Sequence, residues 1–281
     1  MRVAIIGLDG LEYELVEKFN MKNLMQEEYG KTDLGDFKKI ITPPIWASFL
    51  TGLPPEKHGI QEMYRWESKL LQRLAETSVG PRWLKRITKS PRWKRLGFKK
   101  TYPRIRDKGI KTMFDYVSRS VALDVPTYNR SLDRYLANLR KAALKKPGAF
   151  GEKFEKCVYN KFLAEKHKFM KTFRKGSWNL IMGYTLMPDY LGHNYRGNLT
   201  KMWEAYAILD DFVGDVRASA EKDVEILVIS DHGMKLFGET IYGDHSDYGF
   251  YSSNKVLSLD NPKITDFFRI ILDEVGCDVK F

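Results

Sequence analysis

Apolar residues along the chain follow two alternating patterns. Short continuous apolar runs, typical of buried strands, occur near 2–8, 36–41, 120–125, 178–185 and 224–230. Between them, apolar residues recur at the spacing of one helix face in 112–119, 131–145, 152–173, 201–220 and 264–275. This alternation of strands and helices predicts an α/β fold with a mainly parallel central sheet and helices on both of its faces.

One segment, 61–110, interrupts this alternation and holds the basic charge. Residues 69–112 contain fifteen Lys and Arg against Glu76 and Asp107, while the whole chain of 281 residues has a net charge of +11. We therefore predict one α/β domain formed by 1–60 and 111–281. The basic, Trp-containing segment is inserted into it, either as a cap near the active site or as a simple solvated segment.

The hydrophobic pattern also bears on location. No apolar run is long enough to cross a bilayer. The run at 3–8 is too short for a signal peptide and lacks a small-residue cleavage site, so we expect a cytoplasmic protein. In that compartment, Cys157 and Cys277 are expected to be free thiols.

Side chains that commonly bind metals follow closely on several predicted strands. Asp9 and the pair Asp231-His232 come directly after apolar runs, and Asp189 and His193 come shortly after another. The spacing of four between Asp189 and His193 places them on one face of a helical turn. Because ligands bind outside the carboxyl ends of the strands in open α/β sheets, we expect these groups to converge. Carboxylate oxygen combined with imidazole nitrogen favours zinc or manganese.

Two further residues complete the candidate site. His245 lies in a Gly-flanked loop that would close the site from far along the chain. Thr42 precedes a predicted helix with prolines in its first turn and Gly52 at its end, so we expect Thr42 to be the N-cap. A hydroxyl at a helix N-terminus lies where a phosphate is favoured, which makes Thr42 a candidate nucleophile.

Five short blocks occur in a fixed order along the chain. They are Gly7-Leu8-Asp9-Gly10, then 42–60 from Thr42-Pro43-Pro44 to His58-Gly59-Ile60, then Pro188-Asp189-Tyr190-Leu191-Gly192-His193, Ser230-Asp231-His232-Gly233 and Gly243-Asp244-His245. In this order they resemble the type I phosphodiesterase/nucleotide pyrophosphatase family of the alkaline phosphatase superfamily. The resemblance implies an alkaline-phosphatase-like three-layer α/β/α sandwich and a two-metal phosphoric ester hydrolase.

The resemblance also implies a role for each site residue. It gives one metal ion, with zinc favoured over manganese, to Asp9, Thr42, Asp231 and His232. It gives a second ion to the other three residues, which are Asp189, His193 and His245. Thr42 would attack phosphorus, form a phospho-threonine and release it to water. The substrate would be a small-molecule or lipid-like phosphate ester.

The chain departs from the family at one place, and several alternatives stay open. Relatives in the nucleotide pyrophosphatase group carry an asparagine shortly after the His-Gly-Ile block to hold a phosphate oxygen, whereas Gln61-Glu62-Met63 follows here. A phosphomonoesterase, phosphonate hydrolase or phosphomutase would share the same two-metal site. The 61–110 segment also contains two similar basic, aromatic stretches, 80–86 and 90–96. In another class, a non-catalytic protein would use this segment, with Trp66, Trp83 and Trp93 among its Lys and Arg residues, to contact an anionic membrane or, as the less favoured case, nucleic acid.

Overall fold

A computed structural model describes residues 1–66, 68, 71–73 and 100–278. Its strands, in chain order, are β1 (Arg2–Leu8), β2 (Glu28–Asp33), β3 (Arg65–Trp66), β4 (Lys100–Thr101), β5 (Ser120–Leu123), β6 (Leu180–Thr185), β7 (Val224–Ser230), β8 (Met234–Leu236), β9 (Gly243–His245) and β10 (Tyr248–Ser253). Its helices are α1 (Tyr13–Lys18), α2 (Lys22–Met25), α3 (Thr42–Thr51), α4 (Pro55–His58), α5 (Met113–Tyr116), α6 (Arg134–Lys145), α7 (Pro147–Phe173), α8 (Met187–Tyr195), α9 (Leu199–Ser219) and α10 (Asp266–Glu274).

Six of these strands form one mainly parallel sheet in the order β2-β10-β7-β1-β6-β5. Strand β1 lies between β6 and β7 and runs parallel to both. Strand β5 extends the parallel part beyond β6, whereas β10 runs antiparallel to both β7 and β2. The carboxyl ends of β1, β6 and β7 therefore meet at the same edge of the sheet.

Helices cover both faces of the sheet, as the surroundings of one glycine on each of two adjacent strands show. Gly7 of β1 faces Trp46 of α3, since an added Cβ would lie 3.0 Å from the indole. Gly183 of β6 lies on the opposite face, because it is paired with Ile6, and an added Cβ would collide with the Phe169 ring of α7. The arrangement is the expected α/β fold, with the core on both sides of β1, β6 and β7.

The structure corrects some of the predicted elements. No strand forms at 36–41, which is a turn leading into α3. Two polar strands, β2 and β10, take sheet positions that the apolar runs did not indicate. Strands near 120–125, 178–185 and 224–230 are confirmed, as are the helices, although α5 is shorter and α7 starts earlier than expected.

The described ends of the 61–110 segment pair as a small two-stranded sheet, β3 with β4. Trp66 is buried there, with the Lys100 ammonium 5.1 Å from the centre of its ring, so it does not present an apolar surface to a membrane. Trp83, Trp93 and the two similar basic stretches lie outside the described residues. Cys157 and Cys277 are free, as expected. Among the residues that the structure describes, none of the helices is apolar over a membrane-spanning length.

Candidate metal centre and active site

Three neighbouring strand ends deliver most of the expected metal ligands to one place. Asp9 directly follows β1, and Asp231 and His232 directly follow β7. Strand β6 leads into α8, which carries Asp189 in its first turn and His193 one turn later. Because these strands are adjacent and parallel, residues far apart in sequence come together at the carboxyl edge of the sheet.

Asp189 joins two histidines in the first cluster of ligand atoms. Its Oδ1 lies 3.2 Å from Nε2 of His193, one helical turn away as expected, and 3.6 Å from Nε2 of His245. The two Nε2 atoms are 3.0 Å apart. His245 lies on β9, in a short antiparallel hairpin with β8, and not in an irregular loop as expected. The hairpin therefore places its imidazole against α8.

The second cluster forms around His232. Its Nε2 lies 3.3 Å from Oδ1 of Asp9 and 3.6 Å from Oδ2 of Asp231. All three side chains are buried. The Thr42 hydroxyl donates to Oδ2 of Asp9 at 3.4 Å, so Thr42 lies beside this cluster.

The two clusters share a residue. Asp189, His193 and His245 offer ligand atoms within 4.8 Å of one another, and so do Asp9, Asp189 and His232. The structure thus brings all seven expected site residues together, and Asp189 belongs to both clusters instead of to one.

Backbone carbonyls hold all three imidazoles in one orientation. In each ring, Nδ1 donates to a carbonyl oxygen, so in the neutral ring the lone pair of Nε2 faces the centre. The three bonds join His193 to Gly243 at 2.9 Å, His245 to Ile40 at 2.7 Å and His232 to Gly233 at 2.9 Å. Such outer bonds fix the tautomer that a metal ion requires.

The residues present fit divalent metal ions, because the centre is crowded with acceptors that have no donor. Within the described residues, no hydrogen-bond partner reaches five buried atoms, which are Oδ1 of Asp9, Oδ1 of Asp189, both carboxylate oxygens of Asp231 and Nε2 of His232. The facing Nε2 lone pairs of His193 and His245 would likewise repel each other. Buried acceptors at such separations are stabilised when a cation lies among them.

The pKa values show the same excess of negative charge. Burial and the nearby Asp9 carboxylate raise the pKa of Asp231 well above its ordinary value. Burial lowers the pKa of His232, but Asp231 and Asp9 outweigh it and raise that pKa to about 10. Burial would raise the pKa of Asp189, yet His193 and His245 hold it well below its usual range. A centre that attracts protons this strongly also attracts metal cations.

Thr42 is the first residue of α3 and not its N-cap, which is Ile41. An N-cap hydroxyl accepts from the second or third helical N–H, and the prolines at 43 and 44 leave few donors for that role. The hydroxyl instead points to Asp9. Ser48, further along α3, is buried and bonded to His58 at 3.0 Å, which makes it unavailable as a nucleophile.

A cavity of about 390 Å³ opens in front of Thr42, and its walls contain residues that the sequence did not single out. Tyr184, at the end of β6, donates its hydroxyl to Oδ2 of Asp9. Arg130 and Arg140 line the same cavity. The sequence offered one signal for Tyr184, since it lies in the apolar run that ends at the carboxyl edge.

Glu12 is a second residue that the sequence did not single out. It is buried, and it accepts hydrogen bonds from Met234, Ser246 and Tyr248, which lie close in sequence to His232 and His245. Its place two residues after the Gly7–Gly10 block gave no sign of this role.

Comparisons with known proteins agree with this architecture. The model of the family "Type I phosphodiesterase / nucleotide pyrophosphatase" matches residues 3–245. Alkaline phosphatase from the Antarctic bacterium TAB5 is 13% identical with a TM-score of 0.54, covering 99% of each chain. The PH0037 protein of Pyrococcus horikoshii is 12% identical with a TM-score of 0.52, covering 100% of this chain and 98% of that one. These two likenesses establish an alkaline-phosphatase-like fold.

Two further matches cover only part of the relative. GPI ethanolamine phosphate transferase 3 of Eremothecium gossypii is 29% identical over 70 residues, which are 25% of this chain and 7% of the transferase. Murine ectonucleotide pyrophosphatase/phosphodiesterase 5 is 17% identical with a TM-score of 0.47, covering 85% of this chain and 59% of that one. The family match spans the strand ends, α3, α8 and the β8–β9 hairpin. The chain belongs to the type I phosphodiesterase/nucleotide pyrophosphatase family.

Proposed function

We propose that this protein is a metal-dependent phosphoric ester hydrolase that cleaves a phosphodiester or pyrophosphate bond with Thr42 as nucleophile. One observation carries the proposal. The Thr42 hydroxyl faces the cavity beside Asp9, where two clusters of carboxylate and imidazole ligand atoms meet at the sheet edge. Family membership supports a phosphate ester as the substrate.

The metal ligands would be Asp9, Asp231 and His232 in one cluster and His193 and His245 in the other, with Asp189 between them. Bound zinc or manganese ions would supply charge stabilisation for the phosphoryl group and lower the pKa of a bound hydroxyl or water. The nitrogen and oxygen donor set suits both metals.

The chain's own residues would orient and activate the nucleophile. α3 holds Thr42 rigidly, because nearly all of its residues are buried, and its N-terminus faces the substrate. The hydroxyl proton would leave toward Oδ2 of Asp9, to which the hydroxyl already donates. A bond would form between Oγ1 and phosphorus, the leaving oxygen would depart, and water would later hydrolyse the phospho-threonine.

The test compares hydrolysis of bis(p-nitrophenyl) phosphate and p-nitrophenyl phosphate by zinc- and manganese-loaded protein. Thr42→Ala should abolish turnover while retaining bound metal, and chelation should abolish it in the wild type. Ser48→Ala is the matched control, because this second hydroxyl on α3 is buried against His58 and should not be needed for chemistry. Acid quenching during turnover should leave the phosphoryl group of the substrate on Thr42, as phosphate from the monoester and as its nitrophenyl ester from the diester, and peptide mass detects both.

Each outcome decides between the candidate activities. Preference for the diester supports a phosphodiesterase, and preference for the monoester moves the activity to a phosphatase on the same site. Full turnover by Thr42→Ala would overturn the nucleophile assignment. Absence of turnover with any ester would favour the alternative of a binding protein.

A further inference from the structure

Two arginines line the active-site cavity, the buried Arg130 and the half-buried Arg140, and each guanidinium lies over a tyrosine ring. The guanidinium carbon of Arg130 lies 4.7 Å from the centre of the Tyr184 ring. That of Arg140, on α6, lies 5.2 Å from the centre of the Tyr190 ring. Arginine stacked on an aromatic face is fixed in orientation and keeps its N–H edge free to donate.

Each arginine is associated with a different ligand cluster. Tyr184, beneath Arg130, donates its hydroxyl to Asp9. Arg140 lies with Nη1 3.8 Å from Oδ2 of Asp189, the oxygen that does not face the histidines. The two guanidinium groups therefore reach the cavity from the Asp9 side and from the Asp189 side, with Thr42 lining the same space.

The carboxylates near these arginines do not satisfy their N–H groups. Glu165 lies 3.7 Å from Nη1 of Arg130, and Asp189 lies 3.8 Å from Arg140, both beyond hydrogen-bond range. Arg130 donates one long bond, 3.5 Å, to the carbonyl of Asp124, and Arg140 makes no hydrogen bond to the described residues. Arg130 is only 6% exposed, yet none of its nitrogens is among the buried polar atoms that lack a partner in the described part of the chain, so its remaining N–H groups open onto the cavity.

An oxyanion in the cavity would supply the missing acceptors. The planar fork of a guanidinium matches two phosphate oxygens, and a tetrahedral phosphoryl group beside Thr42 presents oxygens to both walls. We propose that Arg130 and Arg140 form a clamp that binds the non-bridging oxygens of the phosphoryl group attacked by Thr42. This inference rests on the proposed phosphate ester substrate and adds the residues that hold it.

The test measures binding of inorganic phosphate to manganese-loaded protein by calorimetry, which requires no turnover. Arg140→Gln and Arg130→Gln should each weaken phosphate binding roughly 10- to 100-fold, the effect of losing hydrogen bonds to a charged group. Arg140→Lys should weaken phosphate binding less, because lysine keeps the positive charge and lacks only the planar guanidinium that donates to two oxygens. Lys145→Gln removes the same charge from the exposed end of α6, outside the cavity, and should bind phosphate as the wild type does.

Metal content and melting temperature of every variant show whether the site itself is intact. Because Arg130 is buried, Arg130→Lys replaces it if the glutamine variant does not fold, and the half-buried Arg140 provides an independent reading. Absence of phosphate affinity in the wild type, or wild-type affinity in both glutamine variants, would overturn the clamp. Loss of affinity in a protein that hydrolyses no ester would support the clamp while contradicting the proposed hydrolase. Thr42-dependent hydrolysis, together with unchanged phosphate binding in both glutamine variants, would support the hydrolase and contradict the clamp.

Discussion

The Ser246 hydroxyl donates to Oε2 of Glu12 at 2.7 Å, across 234 positions of sequence. The same oxygen accepts the backbone N–H of Met234 at 2.6 Å, and Oε1 accepts the Tyr248 hydroxyl. Glu12 follows Asp9 by three residues, Met234 follows His232 by two, and Ser246 follows His245 directly. One buried carboxylate therefore joins the three segments that carry these ligands.

Glu12→Gln should weaken metal binding without removing any ligand. An amide presents N–H groups where only donors surround the side chain, so at least one of the four hydrogen bonds that Glu12 accepts breaks and the loops shift. We expect about 10-fold weaker metal affinity or more, and a loss of roughly 1–3 kcal/mol in stability. Competition with a metal-sensitive dye measures the affinity. Glu14→Gln, an exposed change two residues away, is the control; equal metal affinity in both variants would contradict the role of Glu12.

Asp189→Asn should reduce the content of both metal ions, because Asp189 offers oxygen to both clusters. His193→Ala should mainly remove the ion of one cluster, since His193 belongs to a single group of ligand atoms. Metal analysis after dialysis against a weak chelator gives the number of ions per chain. His167→Ala, an exposed histidine on α7, should leave that number unchanged. Two ions retained by Asp189→Asn would show that the clusters are independent.

Gly10→Ala should damage the site through the backbone of Asp189. Gly10 has φ of +72°, and an added Cβ would lie 2.8 Å from Cα of Asp189. Gly109 is a matched control, because its φ is +70° and an added Cβ meets no atom of the described residues within 4 Å. Both variants should lose about 1–2 kcal/mol of unfolding free energy because alanine is strained in the left-handed backbone region. Gly10→Ala should lose roughly 1–3 kcal/mol more because of the steric collision. Chemical unfolding and metal content of both proteins test this difference; equal values would contradict it.

His58 should make the protein less stable as the pH falls from about 6.5 toward 4. Burial lowers the pKa of His58 to about 4. Its Nδ1 accepts the N–H of Ile60 at 3.1 Å, so the folded protein binds the neutral form. The unfolded chain takes up a proton below about 6.5, and that uptake favours unfolding by about 1–3 kcal/mol across this range.

Urea unfolding of wild type and His58→Gln at several pH values measures this contribution. The difference in unfolding free energy between the two proteins should be constant above pH 7 and should shrink as the pH falls toward 4. His167→Gln removes an exposed histidine and should keep the wild-type pH dependence. A parallel pH dependence of wild type and His58→Gln would rule out His58 as the cause.

The sequence located the residues that meet at the central strand ends better than it located the β2–β10 side of the sheet. Strands β1, β6 and β7 are buried on both faces, so they are continuous apolar runs, and the ligands directly follow them. Strand β2 is a polar edge strand with one open side, and β10 is built largely from Tyr, Gly and Ser. Neither has an apolar run, so neither could be found by that signal.

Residues whose role depends on their contacts in the folded protein could not be identified from the sequence pattern. The ligands are recognisable because their types and order are distinctive, whereas Glu12, Arg130 and Arg140 are ordinary charged residues until folding buries them. The sharing of Asp189 also depends on the approach of α8 to two strand ends, which sequence spacing does not encode. The apolar pair Ile40-Ile41 resembles the end of a strand in the sequence, but in the structure it leads into the buried helix α3.

The central place of β1 in the sheet sets the order in which a growing chain can fold. Its two neighbours, β6 and β7, begin at Leu180 and Val224, so β1 leaves the ribosome long before either partner exists. Because synthesis proceeds at about 5–20 residues per second, β1 remains without a neighbouring strand for on the order of ten seconds or more. The nascent chain thus presents an unpaired apolar strand edge throughout most of its synthesis, a state in which strand edges are prone to aggregate.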